Sequence, residues 1–557
     1  MEKIWLKEYP EGIPAEVNIH EYSSLRDIFE KSCRKFSDLP AYSNMSVSIS
    51  YRELDARSRD FAAYLQSELG LAKGDRVAIM LPNLLQYPVA LFGALRAGLT
   101  VVNTNPLYTP RELEHQLHDS GATAIVVLEN FASTLQGVLG KTQVKTVITT
   151  QIGDMFPAIK GLVTNLVVKH VKKMVPPWNI PGAIAFKQAL QAGKGHQLKD
   201  VPLSHDDIAF LQYTGGTTGV AKGAILTHGN MVANLQQVGV WIGRDLDEGV
   251  ETIVLPLPLY HVYALTSNLV FMKIGANNVL ITNPRDLPGF VKELKKIRFT
   301  GIIGVNTLYY ALLNTPGFSE VAAHTLKMTS AGGMAVQRTV AEKWKQVTGS
   351  AIIEGYGLTE TAPVAISNAL NIKDWTGTIG VPIPSTEVAL LDEAGAEVPL
   401  GEVGEIGIRG PQVARGYWNC PDETSKAFTP DGWFRTGDMG FMNEKGYVKI
   451  TDRKKDMILV SGFNVYPNEV EDVIMMHPGV LEVAVIGAPD ERSGEVVKAV
   501  VVKKDPALTA EALIAHCQQH LTGYKVPKIV EFRTEPLPKT TVGKILRRLL
   551  RDNAQVT

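Results

Sequence analysis

Short apolar runs rich in β-branched residues alternate with segments of helical periodicity through most of the chain. The strand-like runs are 76–80, 100–102, 124–128, 252–255, 278–281 and 301–305, and helical patterns near 87–96 and 111–119 separate the earliest of them. Strands that alternate with helices in this way pack as parallel sheets covered by helices. The pattern therefore predicts an α/β fold for a large N-terminal domain.

The pattern changes near residue 378 to short strands separated by glycine and proline turns, such as 386–391 and 404–409. This change predicts a small β-barrel-like region that closes the large domain. The charged run 452–456 then stands between two differently patterned regions, and it is either a solvated turn or a hinge.

The remaining residues predict a small, mobile α+β domain at the C-terminus. Its predicted elements are a helix over 467–476, strands over 480–486 and 496–502, and a helix over 510–521. We therefore expect an N-terminal domain at 1–451, a hinge at 452–455 and a C-terminal domain at 456–557.

Composition narrows the class of protein. A length of 557 residues predicts two or more domains with ample material for a buried core. The 45% hydrophobic and 20% charged content is typical of a soluble globular protein, and the net charge of -1 gives no reason to expect a nucleic-acid partner. Cys33, Cys420 and Cys517 show neither metal-ligand nor disulfide spacing, which predicts a reducing, cytoplasmic location.

Neither a secretory signal nor a membrane span is predicted. Residues 1–8 are charged and contain no apolar core. The most apolar long stretch, 76–102, is interrupted by proline and polar residues, so it is interpreted as strand, helix and strand. We therefore expect a soluble protein.

The segment 213–223, YTGGTTGVAKG, has the composition of a phosphate-binding loop. Its four glycines let backbone N–H groups turn toward an anion, its three threonines add hydroxyl donors, and Lys222 adds a positive charge. It is not a Walker A loop, because Ala221 stands where the second glycine is required and Gly223 replaces the final hydroxyl residue. The alternative is a flexible surface loop, and the composition favours a different kind of nucleotide enzyme.

Five motifs in a fixed order give the chain a family resemblance. They are YTGGTTGVAKG at 213–223, YGLTE at 356–360, TGD at 436–438, DRKK at 452–455 and PKTTVGKILRR at 538–548. Their order and spacing resemble the acyl-adenylate-forming (AMP-binding) superfamily of acyl-CoA synthetases, luciferases and peptide-synthetase adenylation domains. The stretch 431–455 resembles the fatty-acyl-CoA synthetase signature, and the chain as a whole most resembles bacterial long-chain fatty acid CoA ligases. Arg435 departs from that signature, which often has histidine there.

The resemblance implies a two-step ligase reaction that forms a carbon–sulfur bond. ATP and a long-chain fatty acid would give acyl-AMP and pyrophosphate, and the thiol of CoA would then displace AMP. Negative charge develops on phosphate oxygens in the first step, so fixed donors and a cation must already be in place. The implied cofactor is Mg²⁺, with ATP and CoA as cosubstrates.

The resemblance also assigns site residues. The ATP-binding residues are expected to be Tyr213, Thr214, Gly215, Gly216, Thr217, Thr218, Gly219, Val220, Ala221, Lys222, Gly223, Ala224, Gly332, Gly333, Tyr356, Gly357, Thr359, Asp438 and Arg453. Asp438 and Arg453 would hold the ribose, whereas the glycines and the tyrosine of 332–333 and 356–357 would form the adenine slot. Thr214 and Glu360 would bind Mg²⁺, which prefers hard oxygen ligands. The residues expected to be catalytic are Lys544, Glu360, Thr214 and Lys222.

The C-terminal domain is implied to serve both half-reactions. Lys544 would bridge the carboxylate and the α-phosphate, although by position alone it is a solvated charge before a predicted helix that contains Ile545, Leu546, Leu549 and Leu550. Ser461, Gly462 and Phe463 would line the CoA tunnel. The domain would rotate about Lys455 between the two steps.

The acyl pocket is implied to include Tyr260, His261, Val305 and Met334, with a satisfied structural histidine as the alternative for His261. Apolar residues at helical spacing in 161–178 alternate with Lys169, Lys172 and Lys173. This segment is either an ordinary packed helix or a peripheral contact with anionic lipid on the inner face of the cell membrane. The sequence is compatible with a homodimer.

Three functions follow from these observations. The first is a long-chain acyl-CoA synthetase, the second is an adenylating enzyme for another acid or acceptor, and the third is a non-catalytic acyl- or nucleotide-binding protein. Retention of Lys222, Glu360, Asp438 and Lys544 argues against the third.

Overall fold

The structure of the protein, a computed structural model, describes residues 2–214, 221–321, 325–461, 463–490, 492–540 and 543–554, without the side chains of 552–554. The strands are β1 (Pro40–Asn44), β2 (Val47–Ser50), β3 (Arg76–Met80), β4 (Thr100–Asn103), β5 (Ala124–Leu128), β6 (Thr146–Thr150), β7 (Ile184–Ala185), β8 (Ile208–Thr214), β9 (Lys222–Thr227), β10 (Thr252–Leu255), β11 (Asn277–Leu280), β12 (Gly301–Gly304), β13 (Met328–Ala331), β14 (Ile352–Gly357), β15 (Val364–Ser367), β16 (Val381–Pro382), β17 (Glu387–Leu391), β18 (Gly404–Arg409), β19 (Phe434–Met442), β20 (Val448–Arg453), β21 (Ile458–Val460), β22 (Phe463–Val465), β23 (Val480–Asp490), β24 (Gly494–Lys503) and β25 (Ile529–Arg533). The α-helices are α1 (Leu25–Lys35), α2 (Tyr51–Ser67), α3 (Gln86–Arg96), α4 (Pro110–Ser120), α5 (Ala132–Gln136), α6 (Ala158–Leu166), α7 (Phe186–Gly193), α8 (His228–Ile242), α9 (Val262–Lys273), α10 (Leu287–Leu294), α11 (Asn306–Leu313), α12 (Arg338–Thr348), α13 (Pro421–Ala427), α14 (Pro467–Met475), α15 (Ala510–His520) and α16 (Arg547–Ala554).

Two sheets of mainly parallel strands form the large N-terminal domain. One sheet has the order β16-β15-β14-β13-β12-β10-β11-β1-β2, and the other has the order β7-β6-β5-β3-β4-β8-β9. Central strands such as β5 are buried at every position, as expected where helices cover both faces of a parallel sheet. The predicted α/β architecture is confirmed.

The carboxyl ends of several parallel strands carry the candidate site. β8 ends at Thr214, β12 ends just before Val305, and β14 ends at Gly357. Ligands of open α/β sheets bind beyond these ends, where the loops converge. The fold therefore places the nucleotide and acyl motifs at strand ends.

Helix α4 is strongly specified by its own sequence. Thr109 and Glu112 form a reciprocal capping box, and Pro110 occupies the first turn, where its missing N–H costs nothing. Gly121 ends the helix in the left-handed conformation, with φ of 61°. These local signals fix the helix beneath the phosphate-loop motif.

The predicted small β region is an antiparallel sheet in the order β17-β18-β19-β20. A bridge between Gly380 and Val448 joins it to the end of the larger sheet. β20 extends to Arg453, so the chain leaves this sheet inside the charged run 452–456. The assignment of that run as a hinge stays a prediction.

The C-terminal domain is the predicted α+β unit. β21, β22, β23 and β24 form an antiparallel sheet, and β25 adds to β24 in parallel. Apolar side chains of α14 and α15, including Val470, Ile474 and Leu513, pack with those strands in one core.

The start of the last helix differs from the sequence prediction. The last helix, α16, begins at Arg547, so Ile545 and Leu546 precede it. Ile545 instead pairs with Lys539, and Leu546 donates its N–H to the carbonyl of Pro538 at 2.8 Å. Backbone pairing across the turn thus overrides the helical spacing of these side chains.

The segment 158–174 lies on the surface. α6 continues into a π-helical turn at Val167–Val171. Six apolar side chains are largely exposed, namely Ile159, Leu162, Val163, Leu166, Val171 and Met174. α6 packs through Gly161 and Asn165 against Gly153, whereas these apolar side chains are left uncovered. No helix in the described part of the chain is both long and apolar enough to cross a bilayer.

Candidate active site

The two stems of the phosphate-loop motif form an antiparallel pair. Thr214 ends β8 opposite Lys222, which begins β9, and the Thr214 hydroxyl lies 3.5 Å from the Lys222 carbonyl oxygen that accepts its hydrogen bond. The predicted loop residues between the stems lie outside the described residues; they are Gly215, Gly216, Thr217, Thr218, Gly219 and Val220. The fold therefore positions both ends of the loop at the edge of the sheet.

Helix α4 fixes these stems from one side. The Tyr213 hydroxyl donates to the Asp119 carboxylate at 2.5 Å, and His115 Nε2 lies 2.8 Å from the carbonyl oxygen of Ala221. Burial, together with the Asp119 carboxylate, raises the pKa of Tyr213, so this hydroxyl remains a donor. Gly223 packs against the same ring, where a Cβ would lie 3.1 Å away.

A second group of contacts connects Lys222 with the predicted metal ligand Glu360 through Tyr417. Glu360 is buried, and its Oε1 accepts a hydrogen bond of 2.6 Å from the Tyr417 hydroxyl. The Lys222 ammonium lies 4.7 Å from the centroid of the same tyrosine ring. Lys222 also forms an ion pair of 2.6 Å with Glu423 at the start of α13.

The residues present fit a magnesium ion bound together with nucleotide. Mg²⁺ is usually held by one or two carboxylates plus substrate phosphates and water, rather than by an all-protein cage. Within the described residues, no cluster of three or more His, Cys, Asp or Glu side chains is arranged for a metal. Glu360 supplies a buried carboxylate and Thr214 a hydroxyl, which are the donor types that such a metal–phosphate complex needs.

The predicted ribose and adenine residues come together. The Tyr356 hydroxyl donates to Asp438 Oδ2 at 2.7 Å, and Arg453 Nε lies 3.3 Å from Asp438 Oδ1. Asp438 and Arg453 are direct partners in the β19–β20 ladder, so the sheet register itself creates their contact. The oriented carboxylate is suited to accept hydrogen bonds from two vicinal hydroxyls.

The backbone conformation and packing beside this group require glycine at two positions. Gly333 has φ of 78°, a left-handed conformation in which a side chain would be strained. A Cβ on Gly357 would lie 1.6 Å from the carbonyl oxygen of Pro363. Gly332 lies beside the Tyr263 ring, and Thr359 begins the short turn that carries Glu360. The chain can therefore approach a flat ligand closely here.

Lys544 is held at the same site by the C-terminal domain. Its carbonyl accepts from Thr540 N at 2.7 Å, and its own N–H donates to the Thr540 hydroxyl at 3.1 Å, which makes a tight turn. Burial, and next the nearby charge of Arg453, lowers the pKa of Lys544 to about 8, whereas Asp438 opposes that change. Lys544 thus lies within electrostatic range of the predicted ribose residues.

Two of the four acyl-pocket candidates, His261 and Val305, lie near Lys544 or its neighbour Gly543. Burial, and to a smaller extent the charge of Lys544, lowers the pKa of His261 to about 4, so this imidazole is neutral near pH 7. Gly543 lies against Val305, where an added Cβ would come within 3.8 Å of a valine methyl group. Met334 packs against the N-terminal core, and the carbonyl of Tyr260 accepts from Gln212. His261 and Val305 therefore add no charge near the cation, and the Thr307 hydroxyl also lies next to Gly543.

The predicted CoA residues lie on a separate hairpin, β21–β22. Ser461 has φ of 51°, and Phe463 is exposed and stacks on Tyr524 with ring centroids 4.9 Å apart. Gly462 lies outside the described residues. Lys455 follows β20, and burial lowers its pKa.

Sequence reasoning missed four residues that hold the site. They are His115, Asp119, Tyr417 and Glu423. Each acts through a contact with a residue far away in the chain, and neither periodicity nor spacing signals such a partner.

The family comparisons extend over both domains. The AMP-binding enzyme family matches residues 29–418, and the AMP-binding enzyme C-terminal domain matches residues 469–544. A long-chain-fatty-acid–CoA ligase of Escherichia coli O6:H1 is 57% identical over 556 residues, covering 100% of this chain and 99% of the relative. ATP-bound MatB from Rhodopseudomonas palustris has a TM-score of 0.82 at 29% identity, covering 95% of this chain and 98% of that chain. Apo MatB from the same organism has a TM-score of 0.73 at the same identity and coverage.

Proposed function

Because the chain belongs to the family of AMP-binding enzymes, we propose that it is a long-chain fatty acid CoA ligase. It converts ATP, a long-chain fatty acid and CoA to acyl-CoA, AMP and pyrophosphate through an acyl-adenylate. The observation that carries this proposal is that the buried Lys544 lies within electrostatic range of the ribose residues Asp438 and Arg453 and of the acyl-pocket residue His261. A cation there can meet the attacking carboxylate and the α-phosphate together.

In the first step, the chain orients charged groups before reaction. Asp438 holds the ribose, and Lys544 stabilises the negative charge that develops as the carboxylate attacks. Neutral His261 and buried Val305 line the acyl side without adding a competing charge. Glu360 and Thr214 would hold Mg²⁺, which would supply neutralisation of the phosphate charge.

In the second step, the C-terminal domain rotates about Lys455. Lys544 leaves the active site, and the hairpin that carries Ser461 and Phe463 takes its place. Two observations support this part of the proposal. ATP-bound and apo MatB match this chain with the same identity and coverage but with TM-scores of 0.82 and 0.73, so the two MatB structures differ in conformation. The predicted CoA residues and Lys544 also lie on different segments of one small domain.

The proposal is tested by measuring nucleotide products with acids of increasing chain length, in the presence and absence of CoA. We expect AMP and pyrophosphate, a requirement for Mg²⁺, and thioester formation with long-chain acids. Release of ADP would overturn the adenylate mechanism. Turnover confined to aromatic acids would assign the chain to another adenylating class.

We further propose that the segment 158–174 contacts anionic lipid at the inner face of the cell membrane. Ile159 is 81% exposed and Val171 is 74% exposed, which leaves an apolar surface next to several lysines. Apolar side chains with a basic edge suit shallow binding at a lipid headgroup region, where the acyl substrate resides.

Changing Lys169, Lys172 and Lys173 together to glutamine should weaken sedimentation with phosphatidylcholine–phosphatidylglycerol vesicles by about tenfold or more, because each surface lysine contributes about 1 kcal/mol. The difference should shrink at high salt. The matched control changes three exposed lysines of another surface region to glutamine, namely Lys292, Lys295 and Lys296. An equal loss in both triple variants, or no loss in the first, would contradict specific membrane contact by this segment.

A further inference from the structure

We infer that Tyr417 is a positioning residue. It holds the metal-binding carboxylate of Glu360 through its hydroxyl and the phosphate-loop cation of Lys222 through its ring, each in a fixed orientation. The inference rests on the proposed roles of Glu360 and Lys222. It is carried by one side chain that contacts both groups, with its hydroxyl on the carboxylate and its ring face under the ammonium.

The hydroxyl contact is suited to a metal ligand. At 2.6 Å it fixes one oxygen of Glu360, and a neutral donor leaves the negative charge of the carboxylate available to a cation. A lysine in that place would instead neutralise the carboxylate.

The ring contact is suited to the lysine. A cation over an aromatic face is attracted without giving up its capacity to donate hydrogen bonds. Lys222 lies 4.7 Å from the ring centroid and pairs with the half-exposed Glu423 at 2.6 Å. The ring of Tyr417 therefore contacts the ammonium while its hydroxyl contacts the carboxylate, and Lys222 takes Glu423 as its ion-pair partner.

The backbone fixes the position of the tyrosine. Its N–H donates to the Thr424 hydroxyl at 2.9 Å, and the neighbouring Trp418 N–H donates to the Gly223 carbonyl at 2.8 Å. Ala414 N–H donates to the Glu360 carbonyl at 2.7 Å. The segment is thus attached both to β9 and to the turn that carries Glu360, so the ring is placed by the fold.

The test uses metal binding, which is independent of turnover. Mn²⁺ is titrated by electron paramagnetic resonance into the full-length protein with α,β-methylene-ATP, whose bridging carbon prevents adenylation. Tyr417→Phe keeps the ring and removes the hydroxyl, so we expect Mn²⁺ to bind about tenfold more weakly, with metal-free nucleotide binding unchanged. Tyr417→Leu should weaken both, because the support of Lys222 is also lost.

The matched control is Tyr447→Phe, which removes the hydroxyl of another tyrosine that lies near a carboxylate, that of Glu8, away from this site. It should leave Mn²⁺ and nucleotide binding unchanged. Glu360→Gln tests the proposed metal site separately from the positioning role of Tyr417. If Glu360→Gln loses Mn²⁺ and Tyr417→Phe matches the wild type, the positioning role is overturned. If Glu360→Gln also binds Mn²⁺ normally, the proposed metal site itself is overturned.

Discussion

Replacing Lys544 by alanine is expected to slow acyl-adenylate formation by about 10²- to 10³-fold, because a fixed donor is lost where negative charge develops. Supplied with preformed acyl-AMP and CoA, the same variant should form thioester at nearly the wild-type rate. Single-turnover measurements of each half-reaction provide the comparison.

The matched control is Lys539→Ala, which removes a lysine of the same motif whose ammonium pairs with Glu482. It should slow neither half-reaction strongly. The converse variant, Lys455→Pro, fixes φ at the proposed hinge and should slow thioester formation more than adenylation. Equal damage to both half-reactions by Lys544→Ala, in a protein with an unchanged unfolding temperature, would contradict the assignment of Lys544 to the first step.

The kcat/KM for ATP should fall by about tenfold for each pH unit above about pH 8. The proposed role requires charged Lys544, and burial lowers its pKa to about 8 in the free enzyme, so the active form is present below this pH and is lost above it. The decline in kcat should lie at higher pH, because bound phosphate favours the ammonium.

Lys544→Ala provides the control for this pH dependence. Its residual kcat/KM should lack the decline near pH 8, since no ammonium remains to titrate. His261, with a pKa of about 4, is neutral throughout this range. An unchanged decline in Lys544→Ala would assign the titration to another group.

The sequence alone determined the elements whose signals are local. The runs at 76–80 and 124–128 match β3 and β5, because a buried parallel strand is a continuous apolar run whatever its partners. The capping box of α4 and the glycines of the nucleotide motifs are likewise local, since they depend on φ and on nearby backbone groups. The motif residues of the candidate site could therefore be named in advance.

The tertiary structure decided which distant groups meet. Tyr417 lies 57 positions from Glu360, and Glu423 lies 201 positions from Lys222, so both contacts depend on how separate chain segments pack. The exposure of Ile159 also could not be predicted from the sequence, because an amphipathic pattern is the same whether its apolar face is buried or exposed to solvent. Local backbone geometry and patterning specify elements and motifs, whereas charge partners, burial and pKa follow only from long-range packing.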